Sequence, residues 1–366
     1  MKKNKKILFV LGGGVYPHRI GGMEIFNYYF IKNIRDKFDI YYTAKRPIKI
    51  ENTTWLKTFK IKPTKLFSPL QVLLHLLFKP SIKKVVISYS AAHWLVWYLY
   101  TLINTLLRKD YYVIIHYGDA TPKGSYKTYN RFFDNAKKVI AVSDDIKKNY
   151  DSKYNINCEV FYPLVPFEKS TTEKATLREE YKIPTNAHLI TMVGSIKGMK
   201  NPDTLLEALS LFTKEEIKRY NIHIAYAGKG NMVETLKKKA IEYGLSENVH
   251  FLGFVPKEEV NKVFKMSDNY VIASDFEGTS VSLLEAMFNH TPIIASNAPG
   301  IKDMVIHQHS ALLFETRNAT DLNKCIKELM RNPELCKELG NNAYKEFTSK
   351  YYYNDMLNAY IKIFNN

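Results

Sequence analysis

The chain is short of the residues that build metal, redox and disulfide-stapled proteins. It has three cysteines in 366 residues, Cys158, Cys325 and Cys336. No two of them form a C-x-x-C pair, so the sequence encodes neither a disulfide framework nor a zinc ribbon, and reduced thiols of a cytosolic protein are expected. An Asp-x-Asp metal motif is missing; Asp275-Phe276-Glu277 is the nearest match. His307 and His309 stand two apart without an acidic cluster, a poor spacing for a metal. Zinc-finger spacing, an RNA-binding signature, internal repeats and low-complexity tracts are all absent. Neither a resident metal nor a nucleic-acid partner is expected.

Long hydrophobic runs are scarce as well. Ile7-Leu8-Phe9-Val10-Leu11 follows a lysine-rich start but is too short for a signal-peptide core, and it reads better as a first buried strand. Residues 85–107 are long and apolar enough to raise the question of a membrane span, but Ser88, Ser90, His93 and Asn104 interrupt them. A strand followed by an aromatic-rich helix is expected there.

What is present is core and charge. Hydrophobic residues make up 46% of the chain, and the length suits two domains. The net charge of +17 is uneven: residues 1–170 hold 29 Lys and Arg against 12 Asp and Glu, whereas residues 171–366 hold 24 of each. A basic first half beside a neutral second half points to an anionic partner met by the first domain alone. Within it, residues 45–84 mix ten lysines and arginines with Trp55, Phe59, Phe67 and the run Val72-Leu73-Leu74-His75-Leu76-Leu77-Phe78. That mixture suits an anionic membrane surface, and it suits equally a solvated basic face over an ordinary core helix.

The chemistry concentrates in Ser274-Asp275-Phe276-Glu277-Gly278-Thr279-Ser280-Val281-Ser282-Leu283-Leu284-Glu285-Ala286-Met287. A buried strand, Asn269 to Ala273, precedes it, and Gly278-Thr279-Ser280 supplies turn and N-cap chemistry. Glu277 then sits on a loop at the C-terminal edge of a sheet. Glu285 sits about two turns into a helix, since 3.6 residues make a turn. Between them the backbone N–H groups of Gly278, Thr279, Ser280 and Val281 face an anion site at the helix N-terminus. Two glutamates eight apart are ordinarily solvated surface. Here the pattern accommodates a phosphate flanked by hydroxyl groups, which describes a nucleotide sugar.

With Thr291 to Ser296 following as the next strand, this string resembles the glutamate-x7-glutamate motif of the retaining glycosyltransferases of family 4, in glycosyltransferase group 1. The resemblance extends over nearly the whole chain and is most specific between Leu189 and Gly300. The opening strand, Gly12-Gly13-Gly14, Pro17 and Gly21-Gly22 are similar to the family's first loop, which implies that Gly13 and Gly14 lie near the donor diphosphate. His116-Tyr117-Gly118 resembles a His-Gly near the donor sugar, with one residue inserted. Gly194 to Pro202 looks like the family's arginine-to-lysine loop: Lys200 holds the lysine position, Ser195 replaces the arginine, and Lys197 is the candidate replacement charge. Val255 falls where the nucleotide base packs. Ser310-Ala311 departs from the usual asparagine-glycine.

The resemblance implies an α/β protein of two facing Rossmann-like domains (GT-B) with a central cleft. Residues 1–165 are expected to bind the acceptor, 166–350 the nucleotide sugar, and 351–366 to form a helix crossing back to the first domain. Glu277, Lys200 and His116 are the catalytic candidates; Glu285, Gly278, Thr279, Ser280, Val281, Gly13, Gly14, Lys197 and Val255 are the donor-binding ones. The implied reaction is retaining, metal-independent transfer from a UDP-linked sugar to a lipid-linked or polysaccharide acceptor at the cytoplasmic membrane face, as in cell-surface polysaccharide synthesis. The donor is a substrate and no cofactor is expected. The rival readings are a sugar-nucleotide epimerase or hydrolase on the same scaffold, and a non-catalytic basic protein that binds membrane or nucleic acid.

Overall fold

The computed structural model describes residues 5–11, 16, 22–44, 46–58, 64–89, 94–116, 131–163 and 165–365. The chain divides into two compact units, Met1–Pro166 together with Tyr353–Asn366, and Phe167–Tyr352.

The first unit is built on the strands β1 (Lys6–Leu11), β2 (Asp39–Ala44), β3 (Thr53–Lys57), β4 (Lys84–Tyr89), β5 (Asp110–Ile115), β6 (Lys138–Ala141) and β7 (Glu159–Val160). They form a parallel sheet in the order β3-β2-β1-β4-β5-β6-β7. Ile7, Leu8 and Phe9 in β1, Val85 to Ile87 in β4 and Tyr112 to Ile115 in β5 are all buried. Such unbroken apolar runs are what a parallel sheet covered on both faces requires. The helices are α1 (Gly22–Ile34), α2 (Thr64–Phe78), α3 (Trp94–Leu106) and α4 (Asp144–Tyr154). Ser143 caps α4, its Oγ accepting from Ile146 N at 3.2 Å.

β4 and α3 are the expected strand and aromatic-rich helix, and among the described residues no helix is long and apolar enough to cross a membrane. β3 and β7 were not foreseen. β3 lies within the basic-aromatic stretch, where Thr53, Thr54 and Trp55 suit an edge strand and the Trp55 indole donates to Ala44 O at 2.8 Å.

The second unit repeats the plan. Its strands are β8 (His188–Val193), β9 (Ile222–Ala227), β10 (Val249–Gly253), β11 (Asn269–Ile272), β12 (Ile293–Ser296) and β13 (Leu312–Phe314). All are parallel, in the order β10-β9-β8-β11-β12-β13. Around them pack α5 (Lys174–Glu180), α6 (Pro202–Ser210), α7 (Lys214–Tyr220), α8 (Val233–Glu242), α9 (Val260–Met266), α10 (Val281–Phe288), α11 (Ala319–Arg331) and α12 (Pro333–Lys350). Arg178 of α5 is buried and ties α5 to the sheet, donating to Met266 O, Thr185 O, Ala187 O and the Asp268 carboxylate at 2.7–3.1 Å. Asp268 is held below its usual carboxylate range: burial pushes it up, but Lys174, the Leu189 amide and Arg178 together outweigh that.

The last helix, α13 (Tyr353–Asn365), belongs to the first unit. Tyr360 packs on Phe30 with ring centroids 4.5 Å apart, and Phe364 meets Tyr112 edge-on at 5.1 Å.

Both sheets reverse their strand order between the first strand and its later neighbour, at β1/β4 and at β8/β11. Open parallel sheets bind ligands beyond the C-terminal strand ends at such a switch point. In the second unit that point is where the loops after β8 and β11 emerge, carrying Lys200 and Glu277.

Candidate active site

The loop after β8 runs from Gly194 to a single 3-10 turn, Gly198–Lys200, and enters α6 through Asn201 and Pro202. It is stitched to the loop after β9: Gly194 N donates to Ala227 O and Ile196 N to Lys229 O, both at 3.0 Å. A Cβ on Gly230 would stand 1.8 Å from Ile196 O, so the two loops meet where no side chain fits.

The loop after β11 is tied to it with equal closeness. Asp275 N donates to Met199 O at 3.0 Å. The Asn201 amide donates to Ala273 O at 3.0 Å and to Asp275 Oδ1 at 2.7 Å. On the far side Glu277 N donates to Pro299 O at 3.2 Å. Gly300, at φ +77°, lies so near that a Cβ there would come within 1.8 Å of Glu277 O. Glu277 is thus clamped from both flanks by backbone.

Its carboxylate is also clamped. Glu277 Oε1 is ion-paired with Lys200 Nζ and accepts from Ser274 Oγ at 2.7 Å. Both side chains of the pair stay partly exposed. The sequence sets these groups in separate loops far apart along the chain; the structure joins them. Gly278, Thr279, Ser280 and Val281 follow at once and open α10. Ser280 caps it, its Oγ accepting from Leu283 N at 3.3 Å. The N-terminus of α10 therefore stands directly beside the Lys200–Glu277 pair, where its amides and the Lys200 ammonium both favour an anion.

Glu285 lies on the buried side of α10. Its Oε1 is 2.7 Å from Lys257 Nζ, with the two side chains 4% and 5% exposed. Burial pushes the Glu285 carboxyl up from its ordinary value, and Lys257 opposes the shift. Lys257 also faces the Phe167 ring at 5.1 Å. Val255, two residues before Lys257, is itself buried at the end of the β10 turn.

Sequence reasoning did not find Lys257. In Pro256-Lys257-Glu258-Glu259 it reads as one more surface charge, and no local signal marks its burial. It also missed Arg317, whose guanidinium grips Asp275 at 2.8 and 2.5 Å and holds that carboxyl below its usual range. Arg317 adds a cation at the same sheet edge as Lys200. Lys197 is exposed just before the 3-10 turn, its carbonyl accepting from Lys200 N at 2.9 Å. Ser195, at the position where the resembling loop has arginine, is half-buried.

The remaining candidates lie in the first unit. Gly13 and Gly14 fall outside the described residues. His116 immediately follows β5 at the ligand edge of its sheet, but it is only 7% exposed. It is 3.1 Å from Ser88 Oγ and 4.8 Å, centroid to centroid, from Phe26. Burial pushes its pKa down to about 3, so the imidazole is neutral near pH 7 and serves as a hydrogen-bonding group.

Residues 173–346 match the family model described as glycosyl transferases group 1. The match falls within the second unit. Among curated relatives the chain is similar to the uncharacterized glycosyltransferase MJ1607 of Methanocaldococcus jannaschii, at 25% identity over 62% of this chain and 59% of that one. It is similar also to the putative glycosyltransferase EpsD of Bacillus subtilis, at 27% identity over 52% of this chain and 47% of that one. The chain thus spans less than two thirds of these relatives. The fold of Anabaena Alr3699/HepE, solved with UDP and glucose, superposes with a TM-score of 0.79 at 15% identity, over 99% of this chain and 100% of that one. A glycosyltransferase from Rickettsia africae gives 0.81 at 17% identity, over 99% and 98%. Both domains of this chain therefore have the Rossmann-like form of GT-B glycosyltransferases. The Lys200–Glu277 pair, the α10 N-terminus and the Lys257–Glu285 pair all lie inside the matched residues.

Proposed function

We propose that this chain is a retaining glycosyltransferase that moves a sugar from a UDP-linked donor to a lipid-linked or polysaccharide acceptor. The observation that carries the proposal is the junction of Lys200, Glu277 and the α10 N-terminus at the switch point of the second sheet. A diphosphate seated there meets one ammonium and several backbone N–H groups, and a sugar beyond it meets the Glu277 carboxylate. With Lys257 displaced from it, the buried Glu285 carboxylate would meet ribose hydroxyls, and Val255 would pack beside the base. The anomeric C–O bond to phosphate breaks, the acceptor oxygen bonds to the same face of that carbon, and the acceptor proton passes to the departing diphosphate. The negative charge that develops on the diphosphate is met by Lys200 and the amides, with Lys197 and Arg317 as further cations at that edge, so a metal is not required to offset it. UDP enters the proposal because it and glucose occupy the HepE structure. Sugar transfer is supported by relatives such as the serotype-specific mannosyltransferase WbdA of Escherichia coli, 23% identical over 65% of this chain and 29% of that one. The basic first half suits an acceptor at the cytoplasmic face of a membrane.

The test is Glu277→Gln with a panel of UDP-sugars and saccharide acceptors. Removing a group that acts on the transition state should lower kcat by about 100- to 1,000-fold while the thermal midpoint stays near the parent's. Undiminished transfer would overturn the site assignment. Donor consumption at full rate with acceptor withheld would replace transfer by hydrolysis or epimerisation.

A further inference from the structure

Between Glu51 and Asp110 the chain has no acidic residue, while Lys57, Lys60, Lys62, Lys65, Lys79, Lys83, Lys84, Arg108 and Lys109 all fall within that stretch. This segment holds α2 and α3, which pack against each other. Each helix has an ordinary inner face: Val72 and Leu76 in α2, Tyr100 and Ile103 in α3, all buried. Each has an outer face that is also apolar. In α2 it is Leu70, Leu74, Leu77 and Phe78, and in α3 it is Leu102 and Leu106, spaced three, four or one apart so that each set shares one side of its helix. Phe78 is 83% exposed and Leu106 70%. Cations stand at the helix ends: Lys79 directly after Phe78, then Lys83, and Arg108 just beyond Leu106.

Helix dipoles account for lysine and arginine at C-terminal ends. They do not account for an outward phenylalanine and five leucines where a solvated helix would carry polar groups. We propose that the outer face of α2 and α3 is a docking surface for an anionic phospholipid bilayer, with the leucines and Phe78 entering the acyl boundary and Lys79, Lys83 and Arg108 meeting the headgroups. The charge distinguishes this occupant from a second copy of the chain, which would set Lys79, Lys83 and Arg108 against the same cations of the other copy. Both helices end shortly before β4 and β5 begin, so a bilayer seated on Phe78 and Leu106 leaves the C-terminal edge of the first sheet, with His116, uncovered. This inference deepens the proposed membrane-face acceptor and rests on that reading for its purpose, but its evidence is separate.

The experiment is co-sedimentation of the full chain with phosphatidylglycerol vesicles and with phosphatidylcholine vesicles, at low and high salt. The parent should bind the anionic vesicles at least tenfold more tightly, and salt should weaken that binding. The variant Leu74→Ser/Phe78→Ser/Leu106→Ser should lose binding at least tenfold, and so should Lys79→Glu/Lys83→Glu, with circular dichroism unchanged. UDP-glucose thermal shift and transfer to a soluble acceptor are measured in the same variants. If vesicle binding falls while donor binding persists, the surface is supported. If vesicles bind and no donor does, the surface stands and the catalytic reading falls. Parent that ignores anionic vesicles, serine variants that still bind them, or a parent dimer that the serine changes dissolve, would each overturn the surface.

Discussion

In the first unit, residues 52–109 set nine cations in a stretch with no carboxylate, and two helices turn leucine and phenylalanine outward. In the second, residues 171–366 hold 24 positive and 24 negative side chains, and those that matter to the site are matched: Lys200 with Glu277, Lys257 with Glu285, Arg317 with Asp275, Arg178 with Asp268. The two sheets follow one topological plan. The difference lies in what each leaves unsatisfied. Pairing charges inside a unit fixes geometry closely, as positioning a diphosphate demands. Apolar side chains turned outward are left for something outside the chain.

Three changes sharpen this contrast, the first two from the second unit's side. The largest effect is expected of Gly300→Val. The added Cβ would lie 1.8 Å from Glu277 O at a φ of +77°, so the loop carrying Glu277 has to move. A loss of about 5 kcal/mol or more is expected, read from the urea midpoint; a midpoint near the parent's would show that the loop has slack. Next is Lys257→Met, which leaves the Glu285 carboxylate buried without its cation. About 3–5 kcal/mol is expected, and Lys257→Met/Glu285→Leu should restore most of it, because a buried pair replaced by apolar groups is close to neutral. If the double variant is as weak as the sum of the singles, the pair is not coupled.

The third concerns protons, and it contrasts with the charge-paired second unit because His116 belongs to the first. Its folded pKa of about 3 lies below the ordinary 6.5. Between those values the unfolded chain binds a proton that the folded chain refuses, so stability rises with pH across that window and falls on acidification. From pH 7 to pH 5 this one group removes about 2 kcal/mol. His223 of the second unit, pushed down to about 4 chiefly by burial and then by His250, acts in the same direction. In His116→Gln the acid slope should flatten by the His116 share; an unchanged slope would mean that another group carries it.

The sequence showed much of this frame because its signals are local. Unbroken apolar runs marked β1 and β11, and Ser280 announced the helix it caps. Glu277 and Lys200 were legible one at a time, since each sits in a loop after a buried strand. Their pairing was not, because they are remote along the chain and only the sheet order makes them neighbours. Lys257 was invisible for a related reason. Its burial depends on Glu285, a strand and a helix later, and on Phe167, at the far start of the second unit, while its own surroundings are polar. The run Val72 to Phe78 hid a different fact. It is apolar at every angle around the helix apart from His75, so periodicity alone does not say which side faces out. The structure decides it: Val72 and Leu76 go in, and Leu74, Leu77 and Phe78 go out.

That last point yields the smallest expected effect on stability and the cleanest break with the second unit. Phe78 is 83% exposed, so folding removes little of its surface from water. Phe78→Ser should shift the folding free energy by no more than about 0.5 kcal/mol, as surface changes away from caps and partners do. An equally large side chain in the second unit's core, Phe264, is 2% exposed, and Phe264→Ala should cost about 3–5 kcal/mol. The same residue type, compared by urea midpoint in the two positions, thus reports whether the outer face of α2 contributes to the fold. A loss at Phe78 that approaches the one at Phe264 would mean that the isolated chain already covers that face, and the surface would then be core rather than a place for a bilayer.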